Sequence, residues 1–240
     1  MTASAQSSDG DRSERRAGGA HTFRGVDRRA ATVTFTLPPP CRSVTVFQNL
    51  GDVHVDATAR WVWDTAPLMC EFLRDHAKRL IAGRSVVEVG AGTGLPGLVA
   101  ARLGENRASN VILTDLPSEL ELLEKNVEAN VTHEEDARVS VRACAWGELD
   151  DWRGEVFDTV LCSDVLYHQP RDVLEALANT LEALCSTEDG VVVFAYHFRE
   201  NLVHDAQFFE FIDARFDERA RVDFGDVWMF EWVRKRGRMC

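Results

Sequence analysis

Apolar residues recur along this chain in two rhythms, which change at glycines, prolines and acidic residues. Alternation in Thr32-Val33-Thr34-Phe35-Thr36-Leu37, a break at Pro38-Pro39-Pro40, and alternation again in Ser43-Val44-Thr45-Val46-Phe47-Gln48 predict two antiparallel strands. Leu68, Phe72, Leu73, Leu80 and Ile81, set among charges, predict a helix from Trp63 to Ile81 with Gly83 past its end. Strand and helix patterns then alternate: strand 85–89, helix 95–103, strand 111–114, and helix 117–130, opened by Pro117. Strands 139–145 and 157–163 follow, then helix 170–185, strand 190–196 and helix 203–215. Two final strands, about 220–225 and 227–234, meet at Gly225-Asp226 and read as a hairpin. Strands linked by helical crossovers demand a parallel sheet covered on both faces. The expected fold is α/β, a doubly wound, mostly parallel sheet with an antiparallel hairpin at its edge and a β extension before it.

The richest stretch lies where the first strand of that sheet ends. Val86-Val87-Glu88-Val89 runs into Gly90-Ala91-Gly92-Thr93-Gly94, with glycine at alternate positions, and a helix begins at Leu95. Such a turn brings backbone N–H groups close to a ligand, with a helix N-terminus behind it. Twenty-one residues after Gly94, the next strand ends in Asp115, whose carboxylate can accept both hydroxyls of a ribose. Glycine loop and acid together imply a nucleoside cofactor. The glycines alone leave two choices, because Gly92-Thr93-Gly94-Leu95-Pro96-Gly97 also satisfies the dinucleotide pattern. The longer pattern, with Glu88 two residues before Gly90, resembles motif I of the S-adenosylmethionine (SAM) methyltransferases. In those enzymes such an acid lies near the cationic methionine end of the cofactor. Nothing resembles the Tyr-x-x-x-Lys of short-chain dehydrogenases, which favours SAM over NAD.

Composition narrows the picture. With 240 residues, 45% of them hydrophobic, the chain can bury one sizeable core. No apolar run is long enough to cross a bilayer, and no secretory h-region opens the chain. The first thirty residues mix Arg12, Arg15, Arg16, Arg24, Arg28 and Arg29 with Asp9, Asp11, Glu14 and Asp27, which reads as a disordered tail before a catalytic domain spanning 31–240. A net charge of -12 argues against a nucleic-acid substrate and suits a partner with a basic surface. Six cysteines without metal-ligand or disulfide spacing point to a reducing compartment and no metal site. The expectation is a cytoplasmic monomer, with the nucleus as the alternative location, acting on no nucleic acid and no membrane.

Taken in order, Trp63-Asp64-Thr65-Ala66, Glu88 to Gly97, Asp115-Leu116-Pro117, Asn126-Val127-Glu128-Ala129-Asn130, Trp146-Gly147 and Asp164-Val165-Leu166-Tyr167 resemble methyltransferase family 16. That family comprises the seven-β-strand protein lysine methyltransferases, and the resemblance covers about residues 31–240, with an N-terminal β-hairpin at about 31–58. It implies the class I SAM-dependent, Rossmann-like fold, and cofactor contacts from Trp63, Glu88, Gly90, Ala91, Gly92, Asp115, Trp146 and Ser163. Ser163 departs from the alanine that family members often carry. The resemblance implies Asp164 and Tyr167 as the catalytic pair, one carboxylate and one aromatic wall for an alkyl ammonium. Base methyltransferases have prolines where Val165 and Leu166 stand, which disfavours a flipped-out base. The implied reaction is methylation of a lysine on a cytosolic translation factor or chaperone; the alternative is a small-molecule amine or other metabolite. His168 and His197, after strand ends on the active face, are candidate proton relays. Arg199 is either a brace for the substrate loop or a surface charge.

Overall fold

The computed structural model of the protein describes residues 22–23, 26–27, 29–49, 58–131, 137–167, 169–199 and 202–236. Ahead of the main sheet lie two short hairpins. β1 (Thr22–Phe23) pairs with β2 (Val26–Asp27), and β3 (Thr32–Phe35) pairs antiparallel with β4 (Val44–Phe47). The second hairpin matches the alternation in the sequence. The first falls inside the stretch expected as a tail, and Val26 there is buried, so order begins earlier than residue 31. Residues 1–21 of that tail lie outside the described residues.

The helix expected over 63–81 is two helices, α1 (Thr65–Asp75) and α2 (Ala77–Leu80). His76 interrupts them with φ -112 and ψ 17, its ring nitrogen Nδ1 2.9 Å from the Phe72 carbonyl. Next come β5 (Ser85–Val89), α3 (Leu95–Ala101), β6 (Asn110–Asp115), α4 (Leu120–Asn130), β7 (Arg138–Ala143), β8 (Thr159–Ser163), α5 (Arg171–Leu184), β9 (Val191–His197) and α6 (Leu202–Arg215). β10 (Phe216–Asp223) and β11 (Val227–Arg234) close the chain. β10 starts four residues earlier than the pattern predicts, because Asp217, Glu218 and Arg219 on this edge strand read as polar. A register shift between Glu218 and Ala220 accompanies Arg219, whose guanidinium reaches buried Glu231 at 2.6 Å.

The seven strands run in the order β10-β11-β9-β8-β5-β6-β7, with β9-β8-β5-β6-β7 parallel and the terminal hairpin antiparallel. Alternate residues of the central strands enter two cores. Val86, Leu161 and Val193 pack under α1, α3 and α4, while Val87, Val160 and Val192 pack under α5 and α6. A strand buried on both faces must be apolar at every position, which explains the unbroken valine and leucine runs. Sequence order reverses at β5, whose neighbours are β6 and β8, so a crevice opens at the carboxyl ends of these strands.

The Asn126-to-Asn130 motif holds the N-terminal hairpin to this body. Asn126 accepts the Phe47 N–H at 2.7 Å and donates to the carbonyls of Phe47 and Thr93 at 3.2 and 3.0 Å. Asn130 does the same for Thr45 at 3.0 and 2.7 Å. Both asparagines are buried, so an orphaned partner costs its full desolvation. Asn126→Ala is expected to lower the unfolding free energy by about 2–3 kcal/mol in urea titrations. A change below about 0.5 kcal/mol would show that the clamp contributes nothing net.

Candidate active site

A cavity of about 560 Å³ occupies the crevice, and all ten residues expected at the site line it: Trp63, Glu88, Gly90, Ala91, Gly92, Asp115, Trp146, Ser163, Asp164 and Tyr167. Its walls include the acidic side chains of Glu88, Asp115, Asp164 and Asp172 and, among the described residues, no lysine, arginine or histidine. Such a lining favours a cationic guest.

The glycine loop is shaped by close approach. Gly90 has φ 67, and a Cβ there would stand 2.9 Å from Val165 Cγ1. Gly97, inside α3, has no room for a side chain, since a Cβ would meet Leu113 Cδ2 at 2.3 Å. Its N–H instead donates to Glu88 Oε2 at 2.9 Å. Asp115 at the tip of β6 accepts the Gly92 N–H at 2.7 Å and the Leu116 N–H at 2.8 Å. It thereby holds the loop while keeping lone pairs on both oxygens. Trp146, after β7, lies near the loop, its Cζ2 3.5 Å from where a Gly90 Cβ would be. Trp152 is in the core against Phe157. Ser163 shares a hydrogen bond of 2.8 Å with Thr65 across the base of the cavity.

Glu88 is buried, and burial pushes its carboxyl up to about 8; the Asp115 charge adds to this and the Gly97 N–H opposes it. At neutral pH burial thus favours the protonated form of Glu88. As pH rises from 4.5 towards 8, the unfolded chain releases this proton and the folded chain keeps it, so stability falls across that window. Glu88→Gln retains an acceptor for Gly97 and removes the ionisation. The melting temperature of ligand-free Glu88→Gln is expected to exceed the parent's at pH 8.5 and to match it near pH 4. Equal pH slopes in the two proteins would show that Glu88 titrates normally.

The Asp164-x-x-Tyr167 segment follows β8. Asp164 is the one non-glycine residue with positive φ (58) among those described, and its N–H donates to Ala195 O at 3.0 Å. Its side chain is buried; Oδ2 accepts from Arg199 Nη2 at 2.7 Å, and Oδ1 has no hydrogen-bond partner among the described residues. Burial raises its carboxyl above the usual range, against the pull of Arg199 and His197. Arg199 is thus a brace for this segment and not a surface charge. Tyr167 stands 5.8 Å from Trp63, and Trp63 5.9 Å from Trp61, so three aromatic rings form one wall.

Of the two histidines, His197 lies 3.5 Å from Asp226 and outside the cavity lining, and His168 lies outside the described residues. The sequence reading missed Trp61, Gln169 and Asp172, which also line the cavity. Trp61 is separated from Trp63 by a single residue, and that pairing was the available signal. Gln169 and Asp172 sit at the start of α5, where polar residues are indistinguishable from ordinary helix-terminal ones.

Glycine loop, acid-tipped second strand and order reversal at the central strand define the class I SAM-dependent methyltransferase fold. A ribosomal protein L11 methylase from Lactobacillus delbrueckii subsp. bulgaricus shares it, with a TM-score of 0.56 over 80% of this chain and 95% of that one, at 14% identity. The family model described as lysine methyltransferase matches residues 46–215, and the chain belongs to that family. Protein N-lysine methyltransferase METTL21A of Danio rerio is 40% identical over 139 residues, 58% of this chain and 60% of the relative. EEF1A lysine methyltransferase 3 of Xenopus tropicalis is 35% identical over 130 residues, 54% of each. The matched region therefore spans a little over half the length of these relatives. The residues present fit SAM: Asp115, Asp164 and Asp172 line a cavity for a ribose and for a methionine end whose sulfonium and ammonium outweigh its carboxylate, with no lysine, arginine or histidine among the described lining residues.

Proposed function

We propose that this chain is a SAM-dependent protein-lysine N-methyltransferase. One observation carries the reading: Asp164 lines a cavity walled by Trp63 and Tyr167, and its Oδ1 is buried with no hydrogen-bond partner among the described residues. A buried carboxylate oxygen without a donor is costly, and an alkyl ammonium supplies both donor and charge. The aromatic faces beside it attract the same cation. When bound, SAM supplies a methyl group on a positively charged sulfur. Trp63, Glu88, Gly90, Ala91, Gly92, Asp115, Trp146 and Ser163 would hold it, with Asp115 on the ribose and Trp146 flanking the adenine. Asp164 draws in the lysine and orients its nitrogen, and Tyr167 limits the rotation of the amine. A lysine with pKa near 10.4 is almost wholly protonated at pH 7, so its proton must leave before the lone pair can react. Asp164, already bonded to Arg199, serves as orienter while water takes that proton.

The target class we propose is a lysine on a basic face of a folded cytosolic protein, a translation factor or chaperone. The name of the Xenopus relative supports the first of these. Net charge of -12 favours approach of a basic surface, so methylation should weaken as salt rises. The test is incubation of the full chain with tritiated SAM and a cell extract, followed by mass spectrometry of labelled proteins. Label on lysine supports the reading. Label confined to RNA, or to small molecules that stay soluble in acid, overturns it.

A further inference from the structure

Asp164 is held by an arginine that follows another strand of the sheet. Arg199, two residues past β9, donates Nη2 to Asp164 Oδ2 at 2.7 Å and Nη1 to Leu166 O at 3.3 Å. Its guanidinium also lies over Trp63, 5.3 Å from the ring centroid. One side chain thus joins the acid, the segment leading to Tyr167, and the aromatic wall.

We propose that Arg199 is the positioning residue of the methyl-acceptor site, fixing Asp164 so that Oδ1 alone receives the incoming ammonium; this rests on the lysine reading above. The partition of the carboxylate carries the inference. Oδ2 is committed to a planar, doubly engaged guanidinium, and Oδ1 is left buried with no donor among the described residues. The arginine takes Oδ2 and spends its second nitrogen on a backbone carbonyl, so neither of its two bonds uses Oδ1. The backbone agrees: φ 58 is rare for a residue with a side chain and persists where surrounding contacts hold it. The Ala195 carbonyl and the Arg199 guanidinium, both from the β9 side, supply those contacts.

The charged groups around Asp164 make the role measurable. Arg199 and His197, from β9 and just beyond it, favour its ionised form, whereas burial and the Asp64 carboxylate ahead of α1 favour the neutral one. Tyr196, which the Asp164 charge also reaches, is pushed well up by burial and by its hydrogen bond to Asp205. Without the guanidinium, burial and Asp64 dominate, and the Asp164 titration moves to higher pH.

The experiment compares the full-length parent with Arg199→Ala and Arg199→Lys. Three quantities are read: SAM binding by calorimetry, the Asp164 carboxyl titration by carbon-13 NMR, and transfer of label from tritiated SAM into acid-precipitable protein of a cell extract. SAM affinity is expected to stay within about fivefold in all three proteins, which also shows that the variants fold. In Arg199→Ala the Asp164 titration should rise by about one pH unit or more. The acid limb of the transfer rate should rise with it, and transfer at pH 7 should fall about a hundredfold. Arg199→Lys restores the charge but not the planar fork, so it should recover to within about tenfold of the parent. An unmoved Asp164 titration, or transfer by Arg199→Ala within about threefold of the parent, overturns the proposal. A parent that labels no protein refutes the lysine reading, while the titration still decides whether Arg199 holds Asp164.

Discussion

Asp164→Asn is expected to bind SAM within about threefold of the parent and to transfer methyl groups at least about a hundredfold more slowly. The substitution is a clean one for this position. Asparagine tolerates positive φ as well as aspartate does, so the backbone at φ 58 and the N–H bond to Ala195 O survive. The acceptor inventory changes instead. A carboxylate offers two oxygens, one for Arg199 and one for the guest; an amide offers one oxygen and an NH₂. Arg199 would take the oxygen and leave the NH₂ towards the incoming ammonium, where two donors repel. Attraction and orientation are lost together. Calorimetry and label transfer into protein measure the two halves of the expectation. Turnover within about threefold of the parent would remove Asp164 from the mechanism. Tyr167→Phe should cost less, since the ring facing Trp63 remains.

Asp115→Ala should weaken SAM binding by about a hundredfold. Two charge-assisted hydrogen bonds to the ribose, each worth about 1.5 kcal/mol or more, convert to that ratio. The loss extends to the protein, because the same carboxylate holds the N–H groups of Gly92 and Leu116. Removing it leaves the loop less organised for the cofactor as well as poorer in contacts. Burial raises the Asp115 carboxyl above its usual range, so affinity in the parent should also fall as the solution becomes acidic. Affinity for SAM within about twofold of the parent would refute the assignment of this residue to the ribose.

The glycine loop and Asp115 were legible from the order of the elements, because each stands at the end of a strand and a doubly wound sheet gathers the carboxyl ends of its strands at one edge. Trp63 and Trp146 came instead from the resemblance to methyltransferase family 16, since neither ends a strand. The terminal hairpin was legible too, through Gly225-Asp226, although its first strand was read too short. That strand is an edge with an exposed face, so its polar residues broke the apolar pattern used to find it.

Pairings across the fold were not legible. Arg199 and Asp164 are thirty-five residues apart, and Asn126 and Phe47 seventy-nine. No periodicity records which carbonyl or carboxylate a side chain will meet at such distances. The sequence determined that Asp164 directly follows a strand end at the crevice, because strand order and apolar rhythm are local properties. Only the tertiary structure decided that one of its oxygens is already held and that the other has no donor among the described residues. Burial makes that division matter: away from water, a carboxylate has no partners except those the folded chain brings to it.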